Sequence, residues 1–382
     1  MTPAKPSLNL LRSLTDEHVL RALLEERRLT RAELAIRTGI SKPTVSDSVR
    51  RLSEAGLLRD TGERTTGRGG VGSYYSLADD LGLALVVSIG PEGIVAETID
   101  VHGDVICRDV EQVPRRASPA RVTRALQVVA GRVQSAATAP SRLAIVSAAD
   151  PVDRTTGTLV HLPDAPFLIG ELAPLDALEP LVTGPVTVDN DVHWAARAER
   201  RAAGHGALDD FAYLYLGEGL GCALVSDGEV RRGHRGIAGE LAHLITRGPK
   251  GRALHLTDVF AELHLRHASS TAIDTDALLR TVQGTSAHSQ RTRTVLSEAI
   301  CGVLTALVTL ADPELVVIGG TWGAHPTVID SVESQFAHQP RHVPLRTAQV
   351  TNQPSLTGAR HAALHDLRAT ILAQPHHPHQ RR

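Results

Sequence analysis

Two segments of this chain carry the same local pattern, and that repetition constrains the fold more than any other feature. Leu83 to Ile89 and Ile94 to Asp100 are short apolar runs joined by Pro91-Glu92-Gly93. Phe211 to Leu216 and Cys222 to Val225 form a second pair, joined by Gly217-Glu218-Gly219-Leu220-Gly221. Apolar runs of this length, bounded by Gly and Pro, read as strands linked by tight turns. In the first half, Asp104 to Arg108 follows His102-Gly103 as a third strand. A helix from about Pro119 to Ala137, a strand from Arg142 to Ser147, a strand from Pro185 to Asp189 and a helix from Val192 to about Ala203 complete it. In the second half Asp227-Gly228 makes the next turn, and a helix from about Thr294 to Leu310 leads into the strand Leu315 to Ile318 and Gly319-Gly320. Two strand-rich halves, each followed by helices, predict an internally duplicated α/β fold with a cleft between the halves.

At 382 residues the chain is too long for one small core and about right for two or three domains. Hydrophobic residues at 42% allow a full core, and aromatics at 3% argue against a base-stacking surface of the single-strand type. With a net charge of −2, affinity for nucleic acid requires a local patch. Cys107, Cys222 and Cys301 are odd in number and far apart, so they form neither a disulfide framework nor a CxxC zinc pair, which fits a reducing cytoplasm. No apolar run is read as reaching the ~18 residues of a membrane span, and no signal-peptide core is seen at the N-terminus. The segment 375–382 is polar and His-rich; a disordered, solvated end is expected, with metal binding as the competing reading.

The charge asymmetry lies at the front. Residues 1–78 hold 13 Lys+Arg against 9 Asp+Glu, about +4 within a chain of −2. Asp16 to Glu26 reads as a helix capped by Thr15, with Val19, Leu20, Leu23 and Leu24 on one face. Thr30 and Glu33 form a capping-box pair, and Gly39 ends the helix they begin. Ser41 caps a second helix with Pro43 in its first turn and Val45, Val49 and Leu52 inward. This is a helix-turn-helix whose outer face carries Ser41, Lys42, Thr44, Ser46, Asp47, Arg50 and Arg51, groups suited to base edges and phosphates. Leu57 to Leu77 reads as a β-hairpin wing whose tip, Arg64 to Gly70, offers Arg64 and Arg68 to a phosphate backbone or minor groove. A small helical bundle with a solvated charged face is the competing reading.

Taken together, these residues resemble the ROK family of bacterial repressors and sugar kinases. The anchors are Val188 to Glu199 (VDNDVHWAARAE), the Gly217 loop and Gly236 to His243 (GIAGELAH). The resemblance covers nearly the whole chain, and the N-terminal part is similar to the winged helix-turn-helix of bacterial repressors. It implies an α/β chain: a winged helix-turn-helix over 1–80, then a duplicated actin-like, ribonuclease-H-like sugar-kinase-type domain over 81–374. That domain would have two lobes, about 81–190 and 191–374. By the same resemblance Asn190, Asp191, Glu240 and His243 would hold a sugar, with Asp191 in the position of the kinases' general base. Such residues suit a sugar, whose dense hydroxyls each need a donor or acceptor to replace water. On their own, Asp191 could cap the next helix and Glu240 and His243 could be a local surface pair.

Three departures from the family's pattern stand out. Where family kinases carry Asp-x-Gly-x-Thr, this chain has Ser88-Ile89-Gly90-Pro91-Glu92, so the Asp is lost and a Glu replaces the Thr. Glu218 sits inside the second phosphate loop. Two carboxylates facing a triphosphate are repulsive, about 4 kcal/mol for one contact at ~4 Å and an effective dielectric of ~20. ATP and Mg²⁺ are therefore not expected. The family's CxCGxxGC zinc run is also missing: Leu244 to Glu262 has no cysteine and only His255 as an extra soft ligand, so no zinc is expected. Leu254, Leu256, Val259 and Phe260 are expected to replace the metal by packing.

The resulting expectation is a cytoplasmic DNA-binding transcriptional regulator of repressor type. Its partners would be a double-stranded operator and a sugar or sugar-derivative effector, with no membrane, and it would be a homodimer or homotetramer. It would not be an enzyme. An active ATP-dependent sugar kinase with an appended DNA-binding domain is the alternative, and a DNA-binding protein with a mere dimerisation scaffold is a third reading.

Overall fold

A computed structural model of the chain describes residues 8–65, 71–115, 117–162, 167, 172–204, 206–268 and 270–373. Wing-tip residues 66–70, including Arg68, and the tail 374–382 lie outside the described residues.

The N-terminal module consists of α1 (Leu8–Glu25), β1 (Leu29–Thr30), α2 (Arg31–Thr38), α3 (Lys42–Glu54), β2 (Leu58–Arg64) and β3 (Ser73–Leu77). The three strands form one small sheet in the order β1-β3-β2. The Thr30–Glu33 capping box is present, with both reciprocal bonds made, and Gly39 follows α2 at φ 70°. Ser41 caps α3. The first helix differs from expectation. It begins at Leu8, and the Thr15 hydroxyl donates to the Leu11 carbonyl within the helix instead of capping it. Asp16 is consequently on the inner face of α1, buried, where Ser48 donates to it at 2.5 Å and Arg51 at 2.6 Å. That ion pair clamps α1 to α3.

The remainder is built on two sheets of identical topology. The first contains β4 (Leu83–Gly90), β5 (Gly93–Ile99), β6 (Val105–Glu111), β7 (Ser141–Ala148) and β8 (Val186–Asn190), with α4 (Pro119–Ala136), α5 (Pro174–Leu178) and α6 (Asp191–Ala203). The second contains β9 (Phe211–Leu216), β10 (Leu220–Ser226), β11 (Glu229–Val230), β14 (Leu315–Gly319) and β15 (Leu345–Thr347). Between β11 and β14 run a hairpin, β12 (Ile245–Arg247) and β13 (Ala253–His255), and helices α7 (Leu256–Glu262), α8 (Thr275–Gln283) and α9 (Ala287–Ala311). The last helices are α10 (Pro326–Phe336) and α11 (Pro354–Leu372).

The strand orders are β6-β5-β4-β7-β8 and β11-β10-β9-β14-β15. In each sheet the first three strands in chain order pair antiparallel and the last two join in parallel. The strand–turn–strand repeat seen in the sequence is thus the start of each half of a duplicated, actin-like fold. Two regions differ from the sequence reading. Helix α9 starts at Ala287, and its 25 residues include an apolar window long enough by length and composition to cross a membrane, against expectation. Its inner face, with Leu296, Ile300 and Leu304, is core of the second lobe. Leu256, Val259 and Phe260 are fully buried in that same core, as expected, with Leu254 packed against it. Finally, α11 crosses the expected lobe division at residue 190. Leu356, Ala359, Ala363 and Leu367 pack with Ala84, Val86, Leu143 and Ile145 of the first sheet.

Helix α11 also lies against α6, and the approach is so close that a Cβ at Gly358 would stand 1.9 Å from the Trp194 carbonyl oxygen. The core of this layer is continuous with the N-terminal module: Leu20, Leu24, Leu81, Val101, Leu367 and Ile371 belong to one buried cluster. Polar contacts reinforce the joint. Arg368 donates to the Val101 carbonyl at 2.8 Å and to the Leu24 carbonyl at 3.2 Å, and Arg27 pairs with Asp104.

Asp16→Ala should destabilise the N-terminal module by about 2–3 kcal/mol, because it leaves Ser48 buried without its acceptor and Arg51 without its counter-charge. Chemical denaturation of the full chain, followed by far-ultraviolet circular dichroism, measures this. Arg51→Ala should show a similar loss.

Candidate functional site

A cavity of about 250 Å³ opens between the two sheets. Its walls come from the carboxyl ends of parallel strands, where α/β folds place ligands. Asp150 follows β7, Asn190 ends β8, Asp191 begins α6, and Thr321 follows β14. Glu92 and Glu218 enter from the two strand turns that open each sheet, and Glu240 and His243 from the loop after β11. The four residues expected to hold a ligand, Asn190, Asp191, Glu240 and His243, all line this one cavity.

Their hydrogen bonds distinguish them. Asn190 is the N-cap of α6: its side-chain oxygen accepts from the Val192 N–H at 3.0 Å, and its amide nitrogen donates to the Asp150 carbonyl at 3.2 Å. Much of its polar capacity therefore holds the backbone together. Asp191 is the first residue of the helix, and one of its oxygens also accepts from the Val192 N–H, at 2.8 Å. The next residue back, Asp189, anchors this corner. It is buried and accepts from His193 at 2.8 Å, with Arg197 at 2.8 Å and Arg232 at 3.1 Å. Burial alone would raise its pKa; the interaction with His193 and the neighbouring guanidinium groups of Arg197 and Arg232 outweigh that and hold it at about 2.

Glu240 is fixed by its predecessor. Gly239 has φ 97°, and a Cβ there would lie 1.8 Å from the Cys222 carbonyl oxygen, so the loop packs directly on β10. The His243 ring meets His255 edge to face, centroids 5.6 Å apart, and His255 engages the His243 carbonyl at 2.8 Å. Among the described residues no group of three or more His, Cys, Asp or Glu side chains is placed to hold a metal ion.

Sequence reasoning missed Asp150, the carboxylate most affected by this site. It is 5% exposed. Burial first, then the charges of Asp191 and Glu240, push its pKa to about 8. Burial first and then Asp191 push Glu240 to about 7, and burial pushes Asp191 to about 6. The sequence did hold a signal: Asp150 follows its strand as Asp191 follows the neighbouring one, with Ala148 paired to Asn190 across the two.

The Gly217 loop also looks different in three dimensions. Arg115, distant in sequence, forms a two-pronged ion pair with Glu218, so the carboxylate is neutralised by the protein itself. The repulsion expected from two acidic groups is smaller for that reason, with Glu92 nearby and exposed. The loop is closed on itself: the Gly217 N–H donates to the Gly219 carbonyl at 3.1 Å, and the Trp322 indole donates to the Gly217 carbonyl at 2.7 Å.

On the nucleic-acid face, Lys42, Thr44 and Arg50 of α3 are exposed and Ser46 is half-buried. Ser41 is occupied as the helix cap, its hydroxyl 2.8 Å from that of Thr44. Arg50 lies between Asp47 and Glu54 and stays largely exposed. Arg51 does not belong with the surface set, because its guanidinium is drawn onto buried Asp16. Arg64 stands on the wing, paired with Asp60 at 2.9 Å.

Comparison with known proteins follows this geometry. The profile of the ROK family matches residues 85–365, and one described as winged helix-turn-helix DNA-binding matches residues 12–59. A β-glucoside kinase of Listeria monocytogenes is 31% identical over 186 residues, 46% of this chain and 63% of that protein. A xylose repressor of Caldicellulosiruptor bescii is 24% identical over 238 residues, 61% of this chain and 59% of that protein. The chain spans 50–63% of the length of the first curated relatives it matches. A solved structure described as a ROK family transcriptional regulator, homologue of the E. coli MLC protein, superimposes with a TM-score of 0.62 at 18% identity, covering 95% of this chain and 99% of that one. At that identity the likeness is one of fold.

The cavity carboxylates predict a pH dependence. Their folded-state pKa values lie above the ordinary values of 3.8 for Asp and 4.5 for Glu. Their contribution is therefore most favourable below about pH 4 and is lost as pH rises through about 6, 7 and 8. Asp150→Asn should raise the melting temperature at pH 8 by about 2–4 °C for each kcal/mol relieved and change it little at pH 4. Thermal melts of both proteins across that range measure the difference.

Proposed function

The chain belongs to the ROK family, and on that premise we propose that it is a sugar-responsive transcriptional regulator, a cytoplasmic repressor, rather than a sugar kinase. The observation that supports this reading is the division of the molecule: a winged helix-turn-helix with exposed Lys42, Thr44 and Arg50 is joined through one continuous core to a two-lobed domain whose cleft gathers Asn190, Asp191, Glu240 and His243. The operator would be double-stranded DNA read by two recognition helices of a homodimer or homotetramer, about one helical turn apart. On this reading the functional division would fall into 1–80 and 81–374, although buried side chains on both sides of residue 80 share one core.

The phosphate side supports a sensor. Family kinases bind ATP and a metal, and the residues here do not fit them. Ser88 stands where the metal-organising Asp would be, Glu218 fills the second loop with its own Arg115, and the Gly217 N–H is committed to Gly219. The zinc site of the family is likewise replaced by the packing of Leu256, Val259 and Phe260. A kinase reading keeps one argument: Asp191 lines the cavity with a pKa near 6, usable as a base.

Helix α11 supplies the route from sugar to DNA. Its first residues, Gln353 to Leu356, line a neighbouring cavity of about 410 Å³ together with Glu92 and Asp191. Its last turns hold α1 through Arg368, Leu367 and Ile371. The helix is 19 residues, about 28 Å at ~1.5 Å per residue. Closing the cleft on an effector would tilt this rod and move α1. Because a ligand shifts an equilibrium only by its differential affinity, the effector must prefer one cleft state.

Genome-wide mapping of bound DNA, followed by anisotropy titration of the operator with and without sugars, tests the reading. An effector-dependent change in operator affinity is the expected result. Steady ATP turnover with a hexose, abolished by Asp191→Asn, would sink the sensor. Thr44→Ala should relax sequence preference, each lost base contact being worth about 1–3 kcal/mol, whereas Lys42→Ala should weaken all sequences and flatten the salt dependence. Arg368→Ala should leave sugar binding and DNA binding measurable but reduce the coupling between them.

A further inference from the structure

Every other deeply buried carboxylate that matters to this fold has a partner. Asp16 has Ser48 and Arg51; Glu97 has Arg108 and Arg360; Asp189 has His193, Arg197 and Arg232; Glu199 accepts from the Val350 N–H with Arg346 nearby. Asp150 breaks this rule. It is more than nine-tenths buried, lines the cavity, and its carboxylate takes no hydrogen bond or ion pair from any described residue. Glu240, on the facing loop, likewise takes none. Asp191 receives only backbone N–H groups among the described residues, those of Val192 and of Asp191 itself.

The cavity thus holds three under-partnered carboxylates, with Glu92 and Glu218 beside them at the phosphate side. Arg115, which reaches Glu218 without itself lining this cavity, is committed to that carboxylate. A charged or acidic group without a partner in a buried site is costly, so the missing partner belongs to the ligand. A divalent metal does not fit, because no three such side chains among the described residues are placed to share one. A phosphorylated or carboxylated sugar would add negative charge to a negative site. A neutral sugar would offer hydroxyls but no counter-charge, so the crowded carboxyl groups would stay partly protonated.

We infer that the effector is an amine-bearing sugar whose ammonium sits against Asp150 and Glu240. This rests on the sugar-sensor reading and names the ligand class of that site. The ammonium supplies up to three donors and the counter-charge, while the hydroxyls meet Asp191, Asn190 and His243. Binding draws the carboxylates toward their ionised form, so protons are released on association near neutral pH.

Calorimetric titration of the full chain at pH 7 tests this with glucosamine, galactosamine and mannosamine, the three parent hexoses, their N-acetyl derivatives, glucose 6-phosphate and Mg²⁺ alone. One amino sugar should bind about tenfold or more tighter than its neutral and N-acetylated counterparts. Titrations in two buffers of different ionisation enthalpy should show proton release. Asp150→Asn and Glu240→Gln, each checked by its melting curve, should each shrink the preference for the amine. Parent hexoses binding as tightly as amino sugars would overturn the inference and leave the sensor standing. So would an amine preference unchanged in both variants, or Mg²⁺ binding abolished by Asp150→Asn. No binding by any sugar in the panel would overturn both.

Discussion

The contact between α6 and α11 is the constraint on which the rest of the structure depends. Gly358 lets the two helices approach until backbone meets backbone at Trp194. The Trp194 indole donates to the Val146 carbonyl at 3.0 Å, and Arg197 stacks over its ring, so α6 is pinned to the first sheet at the same place. The N-terminus of α6 carries Asp191 into the cavity, and the C-terminal half of α11 carries the DNA-binding module. Any side chain at Gly358 would push the pair apart, and both ends would shift. A single packing contact thereby sets the relation of the cavity to the N-terminal module.

Electrostatics follows the same division between scaffold and site. The scaffold buries carboxylates only where cations or backbone N–H groups surround them, which is the arrangement that makes burial tolerable. The cavity departs from it. Three acids face one another with few partners, and their pKa values rise toward neutrality as a result. Such a departure has a cost in stability, and it persists where a ligand repays it. The Gly217 loop shows the opposite treatment: its Glu218 is satisfied internally by Arg115.

Local patterns were legible in proportion to how local their causes are. The Thr30–Glu33 capping box, the Ser41 cap and the strand turns depend on residues within four positions of one another, and each was read directly from the sequence. The first helix was misjudged because Thr15 is a good capping residue, whereas its hydroxyl donates to the Leu11 carbonyl inside a helix that already begins at Leu8. Arg51 was assigned to DNA because its helical position faces outward from Val45 and Val49; only the approach of α1 brings Asp16 to it. Asp150 and Arg115 were missed for a shared reason. Asp150 meets Glu240 and Arg115 meets Glu218 across spans of chain that no periodicity spans.

The sequence by itself determined the family, the duplicated α/β plan and the helix-turn-helix, and it singled out Asn190, Asp191, Glu240 and His243, which line one cavity. These rest on local periodicity, capping chemistry and motif order, which the chain carries without folding. Tertiary structure alone decided that Asn190 is spent on its helix and that Glu218 is answered by Arg115. It also decided that Asp150 stands buried without a partner among the described residues and that α11 runs from the cavity to the N-terminal module. Those outcomes depend on which distant groups share a low-dielectric space, and proximity of that kind exists only once the chain has packed.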